Sequence, residues 1–182
     1  MTCGIDNRVL SRSKGFDMEI GFLKKTLWSQ LGASVKMLEN AIASCPNELW
    51  TDGSLAKPYW TQVYHTLFFL DLYLSESPTM MNPPSKFKPL ERGSKGPVPQ
   101  RVYSREELLE YLEYGQAKAK LRIDALTEEM ITKECGFSWV GVSVAELFIY
   151  NARHVQHHAA QLNMLLRQRI DLAPGWVFKV DQ

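Results

Sequence analysis

The four histidines of this chain are unevenly placed. His154, His157 and His158 lie within five residues of one another, and His65 lies far upstream. On a helix, residues four apart point to the same side one turn apart, so His154 and His158 can present two imidazoles to one ion. His157 points roughly 60° to 100° away from them. Together with His65, this pair can bind a divalent metal on one side and leave open positions for water or substrate.

A histidine pair on a helix also has a simpler interpretation. Spacing alone favours two surface histidines, or two core histidines with hydrogen-bond partners. Their place on an apolar stripe weighs against this, because buried imidazoles need hydrogen-bond partners or a cation. Rival metal motifs are absent from the sequence: it has no Glu-x-x-His pair, no His-Glu-x-x-His and no Cys-x-x-Cys-His.

Helical periodicity places these histidines on two elements. Apolar residues recur at steps of three or four in four segments, which we predict to be helices over about residues 20–45, 58–76, 105–126 and 144–169. The last two begin with capping-box spacing, Ser104 with Glu107 and Ser143 with Glu146. His65 falls near the middle of the second helix. The sequence therefore predicts an all-α four-helix bundle, with residues 1–182 forming a single domain.

A proline-rich segment separates the second and third predicted helices. Residues 77–102 contain six prolines, so they cannot be helical. Parallel neighbours in a bundle need a connection about 30 Å long for a 20-residue helix, whereas antiparallel neighbours need only a short turn. The segment therefore predicts an up-down-down-up order with a long crossover loop between helices 2 and 3, although a disordered insert would explain it too. No alternating strand pattern is convincing, but residues 176–180 could lie extended against the bundle.

Composition limits the expected partners and compartment. Lys and Arg number 21 against 20 Asp and Glu, and they are scattered, so we expect no nucleic acid partner. Three cysteines with no CxxC pair favour a reducing compartment. The polar N-terminal segment lacks a signal peptide's apolar region, and no apolar stretch is long enough to span a membrane. We expect a cytoplasmic protein that does not bind membranes.

The fourth predicted helix resembles a known family signature. The sequence reads SVAELF at residues 143–148 and YNARHVQHHAAQL at residues 150–162, which is similar to the DinB-like superfamily, also described as the YfiT-like metalloenzyme fold. That family has a His on helix two and a His-x-x-x-His on helix four. Carried over by position, the resemblance implies His65, His154 and His158 as the metal ligands. Ala160 stands where the family usually has Gly, a small-for-small change.

The resemblance also implies a function. Family members include thiol-dependent isomerases and transferases that act with mycothiol or bacillithiol. It therefore implies a Zn²⁺- or Ni²⁺-binding protein that is a metal-dependent hydrolase or a thiol S-transferase. Its expected partners are a small-molecule substrate, such as a low-molecular-weight thiol, and a second copy of the chain, because family members form dimers. The alternative is a non-catalytic or degenerate bundle whose histidines hold a structural ion or none, acting as a dimeric metal-binding or interaction protein.

Two further residues keep open roles. Asp71 follows His65 on the second helix, where the family often has an acidic residue. It is either a base near the metal or a core polar residue bonded to a side chain of the fourth helix. His157 lies either behind the metal ligands or on the surface. The sequence identifies no catalytic residue and no site for an organic cofactor.

Overall fold

The structure is a computed structural model that describes residues 7–93 and 96–181. Within these residues the chain forms six α-helices: α1 (Asn7–Ser44), α2 (Asn47–Trp50), α3 (Tyr59–Tyr73), α4 (Arg105–Asp124), α5 (Glu128–Thr132) and α6 (Val144–Ile170). Two three-residue strands, β1 (Glu91–Gly93) and β2 (Gly96–Val98), pair antiparallel. The predicted all-α class is confirmed. The helices α1, α3, α4 and α6 correspond to the four predicted ones.

Local capping fixes where the third and fourth long helices begin. Ser104 accepts a hydrogen bond from the backbone N–H of Glu107, whose carboxylate accepts from the Ser104 N–H, and Ser143 and Glu146 form the same capping box. Each box satisfies two backbone donors that the first turn leaves free. At its other end α6 stops at Asp171, which adopts a left-handed conformation with a φ of 55°. The capping signals in the sequence therefore mark helix starts correctly.

Helix α1 begins at Asn7, well before the predicted start near residue 20. The apolar repeat that supported the prediction begins only at Ile20. Adding a residue to an existing helix is far easier than nucleating one, so a helix can continue through a polar segment. Periodicity therefore located the repeat and missed the beginning of the helix.

The four long helices pack in the cyclic order α1, α6, α3, α4. Along α3 and α4, residues with higher numbers on one helix contact residues with higher numbers on the other. The rings of Tyr64 and Tyr111 lie 6.5 Å apart, and further along both helices Asp71 pairs with Lys118 at 2.5 Å. Contacts in this order indicate parallel helices. The up-down-down-up order of the whole bundle stays a prediction.

The crossover segment between α3 and α4 packs on the bundle through aromatic residues. Phe87 is buried and stacks on Tyr111 with ring centroids 4.4 Å apart, and its carbonyl accepts a hydrogen bond from the Tyr64 hydroxyl at 2.9 Å. The strands β1 and β2 lie in this segment. These strands were not predicted from the sequence, because three residues are too few to display an alternating pattern.

The segment after α6 returns along α1. The Val180 N–H donates to the Ser29 carbonyl at 3.2 Å, and the Trp28 indole N–H donates to the Asp181 carbonyl at 3.1 Å. Gly32 permits this approach, since a Cβ there would lie 2.4 Å from a methyl carbon of Val180. Residues 176–180 therefore pack on the bundle without joining a strand. Among the described residues, no helix has the length and apolar content needed to cross a membrane.

Candidate metal centre

His65 from α3 meets His154 and His158 from α6 at the interface of the two helices. The ring centroids of His65 and His158 are 4.9 Å apart, those of His154 and His158 are 4.6 Å apart, and those of His65 and His154 are 5.7 Å apart. One nitrogen from each ring can be chosen so that all three lie within 4.8 Å of one another. The structure thus brings together the three histidines singled out in the sequence.

The three imidazoles fit a divalent metal. Two nitrogens that each lie about 2.1 Å from one zinc ion are at most about 4.2 Å apart, which is comparable with the 4.8 Å within which the three nitrogens lie. Within the described residues, the Nδ1 atom of His154 is buried and has no hydrogen-bond partner. Such an atom is costly to leave unpaired, and an ion or a water would satisfy it. Imidazole nitrogens are suitable ligands for Zn, Ni, Cu and Fe.

The surroundings of the rings keep them neutral. Burial, followed by the neighbouring charge of His158, lowers the pKa of His65 to about 4 and that of His154 to about 3. Burial also lowers the pKa of His158. Lys57 adds a positive charge that acts on the pKa values of both His65 and His158. At neutral pH each ring therefore carries a lone pair that can bind a cation.

A glutamine on α6 connects several of these groups. The side-chain oxygen of Gln161 accepts from the Gln62 amide at 2.6 Å and lies 2.8 Å from Nδ1 of His158. The Gln161 amide nitrogen lies 2.9 Å from Nε2 of His157. No role was predicted for either glutamine from the sequence. A signal was present, because Gln161 lies three residues after His158 and Gln62 three residues before His65, spacings that place side chains on one helix face.

A family model of the DinB superfamily matches residues 30–162, more than half of the chain. The chain belongs to the DinB superfamily. Neither a curated protein nor a solved structure matches it. The matched span of this DinB-superfamily chain contains His65, His154 and His158, so family membership and the converging imidazoles together support a metal-binding protein. The resemblance stated from the sequence is confirmed at the level of the superfamily, and the YfiT-like description stays a prediction.

The strand β2 covers one edge of the His65 ring. Gly96 has a φ of 111°, and a Cβ on it would lie 2.9 Å from Nδ1 of His65. Only glycine combines this backbone conformation with so close an approach. The ring of Phe69 packs 4.7 Å from that of His65 and 5.3 Å from that of His154. In this superfamily member the crossover segment therefore contributes directly to the walls of the centre.

Asp71 faces away from the three histidines, toward α4. It is fully buried, its Oδ1 accepts from the Lys118 ammonium at 2.5 Å, and its Oδ2 accepts from the Tyr111 hydroxyl at 3.1 Å. Of the two roles considered from the sequence, these contacts favour a core polar residue. Its partners lie on α4, however, and not on the fourth predicted helix. Such contacts give Asp71 a structural role between α3 and α4.

His157 lies at the edge of the centre. It is exposed, and its ring centroid is 5.1 Å from that of His158. A groove of about 1000 Å³ lies between α1 and α6. Its lining includes His154 and His157, together with Trp176 and Val177 from the segment after α6. A cavity of this size accommodates a small molecule. Of the three histidines of the DinB-superfamily centre, only His154 lines this groove.

Proposed function

We propose that this protein is a metal-dependent enzyme, a hydrolase or a thiol S-transferase, in which His65, His154 and His158 hold Zn²⁺ or Ni²⁺. The observation that carries the proposal is the convergence of three neutral, half-buried imidazoles from α3 and α6. Three protein ligands are typical of catalytic zinc sites, which keep a position open, whereas structural sites have four. When bound, the cation would lower the pKa of a water or a thiol at neutral pH.

The chain's own residues suit a small anionic ligand. The positive charge of Lys57 acts on His65 and His158, so the neighbourhood of the centre attracts negative groups. The aromatic rings of Phe69 and Tyr73 pack against His154 and give that side of the centre an apolar surface. Both features support a low-molecular-weight thiol or another small molecule as the partner. We also propose that the protein is cytoplasmic and binds neither membranes nor nucleic acid.

A second candidate function is a dimeric metal-binding or interaction protein without catalysis. Large apolar side chains are exposed around the groove, notably Trp176 at 61% and Phe178 at 80% exposure, together with Ile149. Apolar surface of this kind is typical of an interface with another chain. In this alternative the histidines hold a structural ion or none, and a homodimer covers the apolar surface.

Elemental analysis of protein purified without an affinity tag tests the first proposal. We expect about one equivalent of Zn or Ni, lost in His65→Ala and His154→Ala. The matched control is Gln156→Leu, which changes a residue of α6 outside the proposed ligand set, whose amide contacts the Met37 sulfur, and which is expected to keep the metal. Less than a tenth of an equivalent of any divalent metal, in protein that also fails to take up added Zn²⁺, would overturn the proposal.

The absorption spectrum of the cobalt-substituted protein separates the two functions. An enzyme with an open coordination position should show a spectrum that changes when a small thiol is added. A structural ion with a closed set of four ligands should show no change. Sedimentation at micromolar concentration then reports whether the chain is a dimer, and a monomer would remove the support for the second function.

A further inference from the structure

We propose that Gln161 is a positioning residue that determines which nitrogen of His158 is available to a metal, and that it joins His157 to the centre. The proposal rests on the metal site described above. It is carried by three contacts at hydrogen-bond distance, which link Gln161 to Gln62, His158 and His157. None of these contacts involves Asp71 or the α4 side of the bundle.

The oxygen of Gln161 fixes the tautomer of His158. A carboxamide oxygen can only accept, so the nitrogen that lies 2.8 Å from it, Nδ1 of His158, must carry the proton. In a neutral imidazole the other nitrogen then bears the lone pair. Nε2 of His158 is therefore the atom available for an ion. Without this contact both tautomers would be populated, and part of the protein would present the wrong nitrogen.

Gln62 fixes the orientation of the Gln161 carboxamide. Its amide N–H donates to the same oxygen at 2.6 Å, across the interface between α3 and α6. If the carboxamide turned over, its NH₂ group would face another donor, the Gln62 amide. Gln62 therefore disfavours the reversed arrangement. Because Gln62 lies one turn before His65, the two helices that supply the ligands also supply the pair that orients them.

His157 contacts the nitrogen of the same Gln161 carboxamide. The Gln161 NH₂ group donates to Nε2 of His157 at 2.9 Å, which makes that nitrogen an acceptor and places its proton on Nδ1. This contact gives Gln161 a partner on each side, His158 and Gln62 on its oxygen and His157 on its nitrogen. An exposed histidine with no place in the ligand set thereby acquires a definite role, that of holding the carboxamide in one orientation.

Partners of this kind have measurable effects in other metal sites. A ligating histidine usually donates its second N–H to a carboxylate, a carbonyl or a water, and loss of that partner typically weakens metal binding by about 10- to 100-fold. We expect Gln161→Leu to weaken Zn²⁺ binding by that factor, because it removes the acceptor. Gln161→Glu keeps an acceptor at the same place, so it should bind Zn²⁺ within about threefold of the wild type. Gln62→Leu should fall between these two variants.

Two measurements on the full chain test the proposal. Long-range ¹H–¹⁵N correlation spectra of the metal-free protein report the tautomer of each histidine, and competition with a chromophoric chelator reports the Zn²⁺ affinity. The matched control is Gln156→Leu, which removes a glutamine of the same helix whose amide contacts the Met37 sulfur instead. We expect the wild type and the control to have His158 protonated on Nδ1, and Gln161→Leu to show a mixture of tautomers.

Several results would overturn the proposal. One is a wild-type His158 protonated on Nε2. Another is a Gln161→Leu variant with an unchanged tautomer and an unchanged Zn²⁺ affinity, or a Gln161→Glu variant as weak as Gln161→Leu. If Gln161→Leu does not fold, as judged by circular dichroism, then Gln62→Leu decides by the same two measurements. A wild type that binds no Zn²⁺ would overturn the proposed function, whereas the tautomer of the metal-free protein would still decide the role of Gln161.

Discussion

Removing Lys118 from the bundle should destabilise the protein far more than removing a neighbouring lysine on the same helix. The Lys118 ammonium reaches three oxygen atoms: Oδ1 of Asp71 at 2.5 Å, the Asp71 carbonyl at 3.1 Å and the Ser75 hydroxyl at 2.7 Å. The Lys118 side chain is 19% exposed and that of Asp71 is fully buried. Lys118→Met keeps a side chain of similar length and leaves a buried carboxylate without its counter-charge.

The burial of Asp71 determines the size of the expected loss. Breaking a buried ion pair on one side typically costs about 3 to 5 kcal/mol, because the remaining charge is left in a poor solvent. For a chain of this size, 1 kcal/mol corresponds to about 2 to 4 °C in melting temperature, so the expected decrease is about 6 to 20 °C. The double variant Asp71→Asn with Lys118→Met should recover much of the loss, since neither remaining side chain is charged.

Urea unfolding of the two single variants, the double variant and a control measures these differences. The control is Lys120→Met, which removes a lysine of α4 whose ion pair with Asp124 is exposed on both sides. Exposed pairs contribute about 0 to 1 kcal/mol, so this variant should differ little from the wild type. Zn²⁺ binding should be unchanged in folded Asp71→Asn, because Asp71 faces α4. A Lys118→Met variant as stable as Lys120→Met would refute the reasoning, and loss of Zn²⁺ binding in Asp71→Asn would refute the structural role of Asp71.

Two other properties can be predicted from the centre. Gly96→Ala should lower the free energy of unfolding by about 1 to 3 kcal/mol and weaken Zn²⁺ binding, because a Cβ at a φ of 111° is strained and would press on His65. Thermal unfolding measures this loss. The control Gly53→Ala should show no such loss, because a Cβ there meets nothing within 4 Å. The metal-free protein should lose stability as the pH falls from about 6.5 toward 4. The pKa values of His65 and His154 are about 4 and about 3 when folded, against about 6.5 when unfolded, so the unfolded chain binds more protons in this range. Urea midpoints should decrease as the pH falls in the wild type and less steeply in His154→Leu, and equal slopes would contradict this explanation.

The parts of the structure that were predictable depend on residues close together in sequence. The capping boxes at Ser104 and Ser143 are complete within four residues, so the starts of α4 and α6 could be predicted from those residues alone. The pairing of His154 with His158 follows in the same way from one helical turn. His65 required more, because its position beside them depends on how α3 packs against α6. Its inclusion came from the family resemblance and from the scarcity of other histidines.

The features that were missed are contacts between distant segments. The hydrogen bond from Gln62 to Gln161 joins residues on two helices, and neither glutamine has a sequence feature that predicts the other. The same holds for Gly96 against His65, and for Asp71, whose spacing on α3 did not reveal that its partner is Lys118 on α4. Each of these contacts depends on the final packing of the bundle. Local pattern and propensity carry no information about such pairings.

A metal ion bound by the three histidines would also connect two distant parts of the chain. About 90 residues separate His65 from His154, so an ion bound by both would cross-link α3 to α6 and close a loop that contains the crossover segment and α4. Any ion that binds only the folded form raises the melting temperature, and at 100 times its dissociation constant it adds about 2.7 kcal/mol. That corresponds to about 5 to 11 °C for a chain of this length. A melting scan against a panel of divalent cations can therefore rank the metals before any substrate is known.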